Sequence, residues 1–177
     1  MRKSPTTAAR AAAIAPYPHQ LDPERFRPEV RRRLSAPAVR TFLAIADLWG
    51  LSTEERLIVL GFPAPSTYHQ WVKTAREHGD ITLPADTLLR ISAVLGIHQA
   101  LGVLFLVEQD GVDWLRTPHE APVFGGRPPL TLLLAGTQDA MLSVRRFLDA
   151  ARGGLYMAPN EADADAAPYT DADVVFS

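Results

Sequence analysis

From position 114 the chain reads WLRTPHEAPVFGGRPPLTLLLAGTQDAMLSVRRFLDAARGG to position 154, and the glycines and prolines of that stretch leave few ways to fold it. Pro118, Pro128 and Pro129 lack the amide that a helix interior needs, so each marks where a helix stops or starts. Gly125 and Gly126 can take positive φ angles, which suits a tight connection just before Pro128 and Pro129. Leu130, Leu132, Leu133 and Leu134 then fill a short apolar helix, and Gly136 closes it. Thr137 caps a last helix in which Ala140, Met141, Val144, Phe147, Leu148 and Ala151 recur at helical spacing. Gln138, Asp139, Arg145, Arg146 and Asp149 are left outside. Gly153 and Gly154 stop it. Ahead of these elements, Asp113 is expected to cap a short helix carrying Trp114 and Leu115. The pattern predicts short helices with defined corners and no strand.

The rest of the chain predicts an all-α protein as well. Residues 1–35 carry Pro5, Pro16, Pro18, Pro23 and Pro28 around an alanine run, which predicts a flexible basic arm with at most a helical turn over 29–34. A helix is expected over 37–49, with Pro37 at its first turn, Gly50 at its C-terminal cap, and Val39, Phe42, Leu43, Ile45, Ala46 and Trp49 on one apolar face. Ser52-Thr53-Glu54-Glu55 is a capping box that starts a second helix, in which Leu57, Ile58 and Leu60 are apolar. Gly61, Pro63 and Pro65 break it. A third helix runs from Ser66 to just before Gly79, with Trp71, Val72 and Ala75 facing inward. A fourth is expected over 84–95, interrupted at Gly96 and followed by a separate, very apolar helix over 97–107.

The short capped helix, the proline-bearing turn and the aromatic-anchored third helix are arranged like a helix-turn-helix. In that geometry the third helix enters the major groove of DNA. Ser66, Thr67 and Gln70 would meet base edges, and Lys73 and Arg76 would meet phosphate or guanine. Arg31-Arg32-Arg33 would add phosphate contacts beside it. Glu77 and Asp80 weaken that electrostatic case, and a helix-turn-helix kept only as scaffold is the competing reading.

Several function classes are disfavoured by what is missing. The 177 residues hold no cysteine, so there is no disulfide framework, thiolate metal site or thiol nucleophile. His19, His69, His78, His98 and His119 show no metal-ligand spacing, and there is no serine elbow or phosphate loop. Gly125-Gly126-Arg127 has neither the lysine nor the preceding strand that a phosphate-binding loop requires. No enzyme, no cofactor and no metal are expected. The apolar runs fall short of the ~18–20 residues needed to span a bilayer, and the N-terminus is a poor signal peptide. The expectation is a cytoplasmic protein without a membrane partner.

The net charge of −2 conceals a polarised chain. Bases dominate up to Arg40, whereas residues 155–177 hold Glu161, Asp163, Asp165, Asp171 and Asp173 and no base. A basic arm for an anionic partner and an acidic tail for a cationic one are suggested; simple solvation is the competing reading, with more weight for the arm than for the tail.

Trp114, Leu115, Pro118, Phe124, Gly125, Gly126, Arg127, Pro129, Leu130, Gly136, Val144, Leu148 and Gly153 together resemble the toxin-binding domain of the Xre/MbcA/ParS antitoxins. The helices upstream resemble the Xre-type helix-turn-helix that such antitoxins carry. The resemblance covers about 36–154 and implies a helix-turn-helix bundle over 36–110 packed with a toxin-binding domain over 111–154; the flexible basic arm over 1–35 and the acidic tail over 155–177 lie outside it. It further implies a bacterial type II antitoxin whose partner is a RES-domain toxin that consumes NAD. Trp114, Phe124, Arg127, Arg145, Arg146 and Tyr156 are the expected toxin contacts. Operator DNA and a homodimer are further expected partners. A stand-alone helix-turn-helix regulator with a dimerising or ligand-sensing C-terminal half is the alternative.

Overall fold

A computed structural model of the chain describes residues 26–153, which form seven α-helices and their connections, with a single β-bridge between His119 and Arg127. Pro28 opens the first helix, where its missing amide costs nothing. This helix, α1 (Pro28–Leu48), runs straight through Pro37. It therefore begins nine residues before the expected start, and 28–35 are helix where a flexible arm was expected. The reason is tertiary. The buried Ser35 hydroxyl accepts from the Leu83 amide at 2.9 Å and donates to the Arg31 carbonyl, while the Arg31 guanidinium donates to the Leu83 carbonyl at 2.8 Å. Arg32 pairs with Asp80. These anchors offset the hydrogen bond that Pro37 forfeits. They also occupy Arg31 and Arg32, two of the three arginines expected on phosphate.

The capping box forms as read. Ser52 Oγ accepts from the Glu55 amide at 3.2 Å, and the Glu55 carboxylate accepts from the Ser52 amide at 2.8 Å, opening α2 (Thr53–Val59). Arg56 ties α2 to α1 through Asp47 at 2.7 Å. Burial works against its charge, but the bond to Asp47 and the influence of Tyr68 outweigh it and raise its proton affinity. After the turn at Gly61 and Phe62, α3 (Pro65–Arg76) buries Tyr68 and Ala75 against α1. Tyr68 shares the i, i+3, i+4, i+7 stripe with Trp71, Val72 and Ala75, and so is buried on the same side of the helix as they are.

The fourth helix, α4 (Ala85–Leu104), is a single rod, and Gly96 does not interrupt it. Gly96 is a point of close approach: a methyl group added there would overlap the Arg145 guanidinium. α4 passes by length and composition for a membrane span, yet half of that apolar window is buried inside this fold. A helix apolar almost all round belongs in a core, and this one packs against both α1 and the last described helix. The next helix, α5 (Glu108–Arg116), starts five residues ahead of Asp113, which therefore sits mid-helix rather than capping. α6 (Pro129–Leu133) follows the double proline, and α7 (Gln138–Arg152) opens on Thr137, whose hydroxyl accepts from the Ala140 amide.

One core joins all of this. α4 packs on α1 and on α7, α3 on α1, α5 on α4 and α6, and α6 on α7. Phe42 and Trp49 from α1 and its cap, Ile91, Val94 and Ile97 from α4, and Met141, Val144 and Leu148 from α7 belong to the same buried cluster. The expected boundaries at 35/36 and 110/111 fall inside α1 and α5.

Candidate functional site

Two surfaces carry the residues that the sequence singles out. On α3, burial of Tyr68, Ala75 and, in part, Trp71 and Val72 sets which side faces solvent. At 3.6 residues per turn the opposite side is centred on Ser66, Gln70, Lys73 and Glu77. Thr67 and Thr74 flank it on one edge, His69 and Arg76 on the other. Ser66, Thr67, Gln70, Lys73 and Arg76 are all exposed. Gln70 donates to the Thr74 hydroxyl at 3.0 Å, so the two act as one polar unit. His69 lies at one edge of the same surface, a position that metal-ligand spacing does not pick out. Glu77 stands at the centre of the face, whereas Asp80 is neutralised by Arg32. Arg40 from α1 donates to the Ala75 carbonyl at 3.1 Å, placing a cation at the negative C-terminal end of α3.

The second surface is built on an aromatic nest. Trp114 is stacked between His119, at 4.7 Å between ring centroids, and Phe147, at 6.0 Å. Phe124 meets Trp114 edge-on at 5.7 Å and Phe147 at 4.8 Å. His119 Nε2 donates to the Trp114 carbonyl at 2.8 Å, which assigns the proton to that nitrogen because a carbonyl can only accept. Gly126 N donates to the His119 carbonyl, closing the 119–127 turn, and Gly125 and Gly126 supply φ of 56° and 72°. Aromatic contacts of this kind add about 0.5–1.5 kcal/mol each beyond area burial, so the nest stiffens the turn.

The product is an exposed ridge of Pro122 and Val123 between two shallow grooves. One, about 790 Å³, is lined on its far side by Arg146, Phe147 and Ala150; the other, about 280 Å³, by Arg127, Thr131 and Leu132. Arg127 and Arg146 thus stand on either side of one apolar ridge, and both are exposed.

The other expected contacts behave differently. Phe124 is 1 % exposed and Trp114 is half-buried, so Phe124 is built into the scaffold that shapes the ridge and Trp114 largely so. Arg145 bonds Asp149 at 2.8 Å and lies across Gly96 of α4, a packing role rather than the outward one expected. Tyr156 and the acidic residues of 155–177 lie outside the described residues, as does most of the basic arm. The ridge residues Pro122 and Val123 were not singled out from sequence. Their signal was their position between two turns, which only the folded loop makes prominent.

Turns from the two halves also touch behind these surfaces. Phe62, in the turn between α2 and α3, has φ of 59° and lies on Gly136 in the turn between α6 and α7. Arg90 of α4, held by Asp86 at 2.7 Å, donates to the Gly136 carbonyl at 3.0 Å from within the core.

Comparison with known proteins places both halves. Residues 28–97 match the antitoxin Xre-like helix-turn-helix domain, and residues 100–154 match the antitoxin Xre/MbcA/ParS C-terminal toxin-binding domain. A relative from Sinorhizobium fredii (strain NBRC 101917 / NGR234), named uncharacterized protein y4oB, is 40% identical over 116 residues, which is 66% of this chain and 84% of that protein. The helix-turn-helix with its exposed α3 face, the nest-and-ridge half behind it and these two matches in that order make the chain a member of the Xre/MbcA/ParS antitoxin family.

Proposed function

We propose that this antitoxin neutralises a RES-domain, NAD-consuming toxin by docking the Pro122–Val123 ridge on it, and that a homodimer represses its own operon through α3. The observation that carries the docking reading is the ridge itself: two exposed apolar residues, held by a rigid nest, with Arg127 and Arg146 on either flank. Arginine is among the residues enriched in binding hot spots, and a loop already held in shape loses less freedom on docking. A pocket that binds a dinucleotide diphosphate is cationic. The acids beyond residue 154 are suited to covering it once the ridge has docked, because tethering raises the effective concentration of the second contact.

The experiment is co-purification with the product of the adjacent reading frame, paired with an NAD-depletion assay in cells. Arg127→Glu with Arg146→Glu, which leaves the nest intact, is expected to abolish co-purification and restore NAD loss. Retained complex would remove the ridge from the interface. Truncation after Gly154 is expected to leave the complex but weaken protection of NAD; undiminished protection would remove the tail from the mechanism.

A further inference from the structure

A third surface has no part in either face. Between α1 and α4 runs an apolar groove of about 570 Å³, lined by Phe26, Val30 and Leu34 on one side and Leu88, Leu89 and Leu95 on the other. Phe26 and Leu34 are 38 % and 44 % exposed. A continuous apolar surface of this kind, rimmed by charged residues, marks a contact surface.

The chain itself indicates what covers it. Phe26 lines the groove and is also the residue to which the preceding 25 residues are joined. Those residues lie outside both matched domains, the first of which begins at 28. Besides Met1 they carry three large apolar side chains, Ile14, Tyr17 and Leu21, and their only acids, Asp22 and Glu24, lie close after Leu21. The groove is flanked by Arg31, which is bonded to backbone carbonyls, and by the exposed Arg33. Reach is sufficient. Five residues from Phe26 to Leu21 span up to ~17 Å when extended, close to the ~16 Å that α1 rises between Val30 and Thr41. A segment tethered this closely competes at an effective concentration in the millimolar range, far above that of a second copy of the chain.

We propose that residues 14–25 of this chain fold back into its own α1–α4 groove, with Leu21 and Tyr17 as the apolar anchors and Asp22 and Glu24 facing Arg33. The segment is then a cover for the helix-turn-helix half, and the groove is closed to other copies.

These 177 residues hold no cysteine, so disulfide trapping in the whole 177-residue chain tests this without background. Gln20→Cys is combined with Ser92→Cys, an exposed position on the groove wall, and oxidised mildly. The expected product is a within-chain disulfide of monomer mass, formed at least tenfold faster than when the first cysteine is placed at Thr6. Adding Leu21→Asp is expected to slow it several-fold, with circular dichroism unchanged. Predominant crosslinking between two chains would assign the groove to a second copy. A rate no faster than the Thr6 control would show that the segment does not enter it. Either result overturns the proposal.

Discussion

Gly136 and Gly125 have nearly the same backbone and opposite surroundings. Their φ values are 77° and 56°, a region where any other L-residue is strained. A methyl group at Gly125 meets nothing within 4 Å, but at Gly136 it would lie 2.7 Å from the Phe62 ring. Gly125→Ala is expected to cost about 1–2 kcal/mol from the backbone alone. Gly136→Ala adds about 1–3 kcal/mol of overpacking against Phe62 and the Arg90 bond. Urea denaturation of both variants checks the order. Phe62→Ala should recover part of the Gly136→Ala loss in a double-mutant cycle; simple additivity would mean that the ring is not held on Gly136. The same glycine was legible as a helix stop from sequence. Its contact with Phe62 was not, because 74 positions separate the two residues.

Helix positions were legible where a local rule governs them and illegible where a neighbour does. The capping box of α2, the proline start of α6 and the Thr137 cap of α7 involve residues within four positions, and each forms as expected, while α3 opens on Pro65, one residue ahead of the expected Ser66. Pro37 and Gly96 are the contrary cases, since Ser35–Leu83 and Gly96–Arg145 contacts overrule local propensity. For α7, the face holding Met141, Val144 and Leu148 is at most 1 % exposed. Leu148→Ala is expected to lower stability by about 2–5 kcal/mol, whereas Gln138→Ala stays within about 0.5 kcal/mol, by chemical denaturation. For α3, Gln70, Lys73 and Arg76 give a separable test on the gene's own upstream DNA. Lys73→Ala should weaken binding across sequences and flatten the salt dependence by about one unit of slope, if it meets phosphate. Gln70→Ala should mainly relax base preference. Binding unchanged by either would leave α3 as scaffold.

At the scale of the molecule, the two matched domains share one core. α4 supplies the wall for α1 and α7 alike, and Arg116 of α5 reaches back to the carbonyls of Trp49 and Gly50. A fragment of residues 100–154 loses the α4 surface ahead of position 100, on which α7 packs. It is expected to show little helix by circular dichroism and no cooperative melt, whereas 26–153 melts in a single transition. A cooperative melt of the short fragment would show that the toxin-binding half stands alone.

Glycine, proline and capping residues determined the all-helical class, most helix starts and the family pattern, because those choices are governed by backbone sterics and hydrogen bonds within a turn or two. The exposed polar face of α3 followed from helical period alone. Which of the remaining candidates reach solvent was decided by tertiary structure. Phe124 went into the core, Arg145 onto α4, and Pro122 and Val123 out onto a ridge. Burial depends on which distant helix arrives at a surface, and no local pattern in 114–154 encodes the approach of α4.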